Sequence, residues 1–222
     1  MARRSGTFAG ALRAWVRWLR RLREGTVVVR HTEPDAPRPT PDTAAADDVQ
    51  QIEDAVGPWF HRRYRVTIDG PRRGAVEVMR AIRTNPNVIA EDDLAPFTLI
   101  RGDGPMQVGH QYDVRIAGPW NGPVEVVEVD DHHNRMATME GHMQAGAIET
   151  RCAEADGALV FEVESWARSA SRPFDLVYDK LGIARALQSE MWISACDHVV
   201  SFSGGRRRGP IEVLEERTAE QG

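Results

Sequence analysis

The chain holds 222 residues, 41% of them hydrophobic and 27% charged, with a formal net charge of −5. That length buries about two-thirds of the unfolded surface in one large domain or a medium domain with an appendage. The composition excludes a fibrous or disordered chain, and no apolar run approaches the roughly 18–20 residues of a membrane-spanning helix.

Two cysteines, Cys152 and Cys196, are too few for a disulfide framework or a four-thiolate zinc site, which suits a reducing cytoplasm. The charge is unevenly spread. Residues 1–31 carry eight arginines against one acid, Glu24, so the remainder holds an excess of twelve negative charges. Within residues 1–25, Phe8, Leu12, Trp15, Leu19 and Leu22 recur at spacings of four and three, and Val16 and Trp18 widen the stripe. The pattern predicts a basic amphipathic helix. Arg13 and Arg17 interrupt the apolar stretch that a secretory signal requires. Trp15 and Trp18 with Arg13, Arg17 and Arg20 suit an anionic membrane interface, a peripheral attachment of a cytoplasmic protein. The alternative is a helix docked on a partner or on the chain's own domain, its arginines simply solvated. Nucleic acid is not expected as a partner, because the acidic body repels phosphate.

Residues 26–43 read as a linker. The apolar run Thr26-Val27-Val28-Val29 is followed by Pro34, Pro37, Pro39 and Pro41, which fit neither a helix nor a sheet interior. The folded domain is expected over 44–204. It opens with a short helix at 44–56, capped by Asp42 or Thr43 and stopped by Gly57-Pro58. From His61 the period becomes two, with Tyr64, Val66 and Ile68 opposite Arg63, Arg65 and Thr67. Pro71 opens a helix through about Thr84. Short strands follow at 97–100, 112–116, 124–129, 135–140, 147–153 and 158–168. The apolar phase slips from 124/126 to 127/129, which marks a β-bulge, and Asp156-Gly157 marks a hairpin. Val177, Leu181, Ala184, Leu187, Met191, Ala195, Val199 and Phe202 then repeat at helical spacing up to Gly204-Gly205. Residues 205–222 read as a mobile tail.

The order predicts an α+β helix-grip fold: a curved antiparallel sheet of about seven strands wrapped around the long C-terminal helix, preceded by the basic helix. Such a sheet curves away from its helix and leaves an apolar cavity between them.

Gly141-His142 followed by Gly146 and Glu149, the strand at 158–168 and the pair Leu187-Gln188 resemble the domain-of-unknown-function 1990 family. That family is grouped with START-like, polyketide-cyclase-like helix-grip proteins. The resemblance spans residues 60–203. Where the family usually reads Gly-His-Pro-Glu-x-Gly-Glu-Glu, this chain has Gly141-His142-Met143-Gln144-Ala145-Gly146-Ala147-Ile148. The proline and the acidic positions are gone, so any chemistry those carboxylates do in relatives is not carried over. The resemblance implies binding of lipids, polyketides or other apolar molecules, or a cyclase or hydratase reaction.

His142 with Glu140 and Glu149 is the best general acid–base candidate, since an imidazole beside a carboxylate can move a proton near neutral pH; its alternative is a structural strand-end histidine. Tyr112, Val114, Trp166, Tyr178 and Met191, with His142 and Trp192, are candidate ligand-contact residues, or ordinary core. Asp130-Asp131-His132-His133 falls where a hairpin turn is needed and reads as a turn rather than a metal site. No nucleophile elbow, phosphate loop, dinucleotide fingerprint or paired-histidine motif occurs, so no cofactor or metal is expected. The sequence therefore points to a domain that binds an apolar small molecule or lipid without chemistry. A cyclase or hydratase using His142 as base, or an interaction protein with a closed core, are the alternatives.

Overall fold

The computed structural model describes residues 4–34, 48–90, 95–115, 121–172 and 183–218. In chain order the elements are α1 (Arg4–Arg23), β1 (Val27–Thr32), β2 (Val56–Asp69), α2 (Ala75–Thr84), β3 (Phe97–Arg101), β4 (Gln111–Arg115), β5 (Asn121–Val129) and β6 (His133–Thr138). They continue with β7 (Gln144–Ala155), β8 (Ala158–Ser169), α3 (Ile183–Ser203), β9 (Arg206–Arg207) and β10 (Ile211–Thr218). One sheet runs β1-β10-β2-β8-β7-β6-β5-β4-β3, with β9 paired to β2. It is antiparallel except where β1 runs parallel to β10. This is the expected α+β helix-grip architecture, a curved sheet holding a long helix.

The alternation in β2 decides which face is inside. Tyr64, Val66 and Ile68 are fully buried, level with Val163, Phe161 and Leu159 of β8, and they meet Ile193, Cys196 and Val199 of α3. The expected bulge lies in β5, where the register to β6 shifts between Val126 and Glu128. Such a bulge bends its strand and increases the local twist. The hairpin between β7 and β8 turns on Asp156 and Gly157 with φ of 50° and 71°, the left-handed pair a two-residue turn needs. At Gly146 only a glycine fits, because a Cβ there would stand 1.9 Å from the Trp166 carbonyl oxygen.

Several expectations are corrected. Val27–Thr32 is not linker but an edge strand of the sheet, and residues 206–218 are not a tail. β10 inserts between β1 and β2, pairing Val27 with Ile211 and Glu216 with His61. The leading helix shrinks, among described residues, to a single 3-10 turn at Ile52–Asp54; Gly57-Pro58 lies inside β2 beside a register shift. The helix expected from Pro71 starts at Ala75, because the Arg72 and Arg73 amides donate to the Ser203 carbonyl at the end of α3. Among the described residues the sheet accordingly has ten strands rather than seven.

The basic helix docks on its own domain. Arg21 of α1 donates to Glu190 at 3.1 Å and to Asp197 at 2.6 Å on α3, and Arg17 Nε lies 3.4 Å from Glu190. Glu190 is fully buried, so these arginines supply the charge that makes its burial tolerable. Trp18 packs against the core. Trp15, Val16, Leu19 and Leu22 remain exposed at 42%, 53%, 45% and 40%, with Arg13, Arg20 and Arg23 exposed among them. No described helix is long and apolar enough to cross a membrane.

Candidate functional site

Curvature leaves a cavity of about 70 Å3 between the sheet and α3. Phe97, Val114, Val124, Met136 and Ile148 form its sheet wall, and Met191, Trp192 and Gln188 form its helix wall. His142, Gln144, Thr138 and Ser165 close one end with polar groups. Five residues singled out from sequence therefore meet here: Val114, His142, Trp166, Met191 and Trp192. Trp166 only borders the cavity, because it belongs to the outward phase of β8, and its ring lies 5.4 Å from that of His61.

The other candidates lie elsewhere. Tyr112 is buried but does not line the cavity; it stands edge-on to Phe97, with centroids 6.2 Å apart, and burial raises its phenol above the ordinary value. Tyr178 lies outside the described residues. Trp18 and Arg17 face the domain itself, as above.

His142 enters from the turn before β7, where Gly141 takes φ of 91°. Its Nδ1 is 2.8 Å from the Gln144 carbonyl oxygen and 2.9 Å from the Gln144 amide nitrogen. Nε2 packs over Gly122, where an added Cβ would approach to 2.9 Å. Burial pushes the imidazole down to about 4, partly offset by its bond to the Gln144 backbone. The ring is therefore neutral at pH 7, a hydrogen-bonding group and a poor proton acceptor.

The expected His142–Glu140–Glu149 constellation does not form. Glu149 sits on the outer face of the sheet, where it accepts from Arg135 at 2.8 Å and Arg151 at 3.0 Å. Glu140 is exposed and lines a separate cleft with Asp48 and Asp54. The reason is phase: Glu149 follows Ile148, which faces the cavity, so its side chain must point away.

That outer face carries a network the sequence reading missed. His61, 2% exposed, lies between two carboxylates, with Nδ1 2.7 Å from Glu216 and Nε2 2.7 Å from Glu164. Arg151 binds Glu164 as well. Burial raises the Glu164 carboxyl, but the His61 bond and the Arg151 charge outweigh it and hold the group below its usual value. On the inner face a buried arginine was also missed. Arg62, 2% exposed, donates to Glu215 at 3.0 Å and to Gln188 at 2.7 Å, and its guanidinium lies 4.8 Å over the Phe60 ring. Gln188 passes the chain on to Gln144 at 3.0 Å. An arginine in the apolar phase of β2, level with Tyr64 and Val66, was the signal available for it.

Asp130 organises the turn before β6, accepting from the His132 and His133 amides at 2.6 and 2.8 Å. No three His, Cys, Asp or Glu side chains among the described residues are grouped to hold a metal. Burial pushes the Cys152 thiol up to about 12 and raises that of Cys196 as well.

No protein-family model matches this chain, and no curated protein sequence matches it. Several solved structures are similar to it. The di-domain ARO/CYC StfQ from the steffimycin biosynthetic pathway is 11% identical with a TM-score of 0.49, over 69% of this chain and 52% of that one. A hypothetical protein from Helicobacter pylori is 12% identical with a TM-score of 0.49, over 78% and 98% of the two chains. A conserved protein from Geobacillus kaustophilus is 13% identical with a TM-score of 0.44, over 66% and 98%. This chain spans about half the length of the di-domain protein.

Proposed function

We propose that this is a helix-grip domain of the kind the domain-of-unknown-function 1990 resemblance implies, and that it binds a small, mainly apolar molecule without transforming it. The observation that carries this reading is the cavity itself, with an apolar wall from Val114, Val124, Met136 and Met191 and polar groups gathered at one end. Removing ligand surface from water gains roughly 25 cal/mol per Å2, and the polar end orients what is bound. The volume favours a molecule of few heavy atoms over a lipid chain. The neutral imidazole of His142 argues against a cyclase or hydratase working through that residue near pH 7, since a base of such low pKa holds a proton weakly.

The exposed ridge of α1 supports a further part of the same reading, peripheral attachment to an anionic membrane. Trp15, Val16, Leu19 and Leu22 stand out from the docked helix with Arg13 and Arg20 beside them.

Native mass spectrometry of detergent-free protein is the test of binding. A reproducible adduct of small organic mass is the expected result. A bare chain that also takes up no dissolved small hydrocarbon or ketone would overturn it. Sedimentation with vesicles tests attachment: binding is expected to require anionic lipid and to weaken with salt, and binding indifferent to both would rule out the membrane role.

A further inference from the structure

Two buried donors line the cavity with no acceptor. Gln144 is 5% exposed and Trp192 8%, and neither Gln144 Nε2 nor Trp192 Nε1 finds a partner among the described residues. The orientation of the Gln144 amide follows from its neighbours. Arg62 can only donate, so Gln188 presents its oxygen to Arg62 at 2.7 Å. Gln188 is then left with its NH2, which it gives to the Gln144 oxygen at 3.0 Å. The group Gln144 retains is an NH2. The Trp192 indole is likewise a donor with no acceptor capacity. A buried N–H left unbonded is costly, and native proteins rarely keep one without a purpose or a bound species.

The charge at this end is balanced. The Arg62 guanidinium is paired with Glu215 at 3.0 Å, and the His142 ring is neutral at pH 7. An anion would be buried here without a counter-charge, which is unfavourable; a neutral acceptor would not. The remainder of the wall, Phe97, Val114, Val124, Met136 and Met191, offers only apolar surface.

We infer that the ligand of this cavity is a small neutral carbonyl compound, a ketone or aldehyde. Its oxygen accepts from Gln144 Nε2 and Trp192 Nε1, and its carbon skeleton lies against the two methionines. This rests on the reading that the cavity admits a ligand at all. The volume of about 70 Å3 is roughly half that of an apolar cavity known to admit benzene. A five-membered ring is therefore the upper size, reached when the flexible Met136 and Met191 side chains yield.

The test compares two probes of the same shape on the full chain by titration calorimetry: cyclopentanone, and methylenecyclopentane, which lacks the acceptor. The ketone is expected to bind about 25-fold more tightly, about fivefold for each of the two hydrogen bonds, and its carbonyl stretch to fall relative to that in hydrocarbon solvent. Gln144→Leu and Trp192→Phe are each expected to cut the ketone-over-hydrocarbon preference by about fivefold, the weight of one hydrogen bond. Equal affinity for both probes would overturn the carbonyl inference and leave the cavity reading intact. A ketone preference that survives both substitutions would overturn the assignment of the donors. Binding of neither probe would overturn both readings together.

Discussion

Acidification should destabilise the folded chain through His142 in particular. Its imidazole titrates near 6.5 when unfolded and is pushed down to about 4 when folded. Between those values the unfolded chain binds a proton that the folded chain refuses, so stability rises with pH across this window and is lost as pH falls through it. Each tenfold difference in proton affinity between the two states is worth about 1.4 kcal/mol. The loss relative to pH 7.5 is then about 2 kcal/mol at pH 5 and about 3 kcal/mol at pH 4. His142→Gln keeps a polar group of similar reach and removes the titration. Urea unfolding of both proteins at pH 7.5, 5.5, 5 and 4 isolates the effect, because every other titrating group is common to the two. The difference in stability between wild type and variant should narrow or reverse by these amounts as pH falls. A constant difference from pH 7.5 to 4 would refute this linkage, and the polar end of the cavity would then be open to water in the native state.

Three further outcomes follow from the geometry. Gly146→Ala should destabilise the chain by several kcal/mol, on the order of a severe core substitution, since its Cβ would meet the Trp166 oxygen at 1.9 Å; thermal melts check it. His61→Ala should cost about 3 kcal/mol by leaving Glu164 and Glu216 facing each other in a buried site, and denaturant unfolding with an unchanged fold at neutral pH would show it. Arg21→Ala should loosen α1 from α3 by removing its bonds to Glu190 and Asp197, and it should speed proteolysis near residue 25 while leaving the sheet intact. Unaltered cleavage would mean that Trp18 and Arg17 suffice to hold the helix.

The sequence carried the local signals faithfully where partners lie close in the chain. The Tyr64-Val66-Ile68 alternation, the phase slip at Val126 and the Asp156-Gly157 turn each have a local cause and each appears in the structure. β1 and β10 escaped because their partners are about 180 residues apart. Val27-Val28-Val29 is too short to distinguish from a linker, and Glu215-Glu216 blurs the alternation after Val213. The site divides the same way. Val114 and Met191 were legible as members of apolar stripes and His142 as a polar residue at a strand end, whereas pairing His142 with Glu149 ignored the side-to-side alternation along β7. The relay from Arg62 through Gln188 to Gln144 spans separations of 126 and 44 residues, and no periodicity announces it.

Ligand entry between sheet and helix is what the proposed function stands on, and methionine methyl groups report on it directly. Met136 and Met191 line the cavity, while Met79 and Met106 are buried away from it. With ε-13C-methionine protein titrated with cyclopentanone, saturable shifts are expected at Met136 and Met191 and none at Met79 or Met106. No shift at either cavity methionine, or equal shifts at all four, would contradict a ligand-accepting cavity.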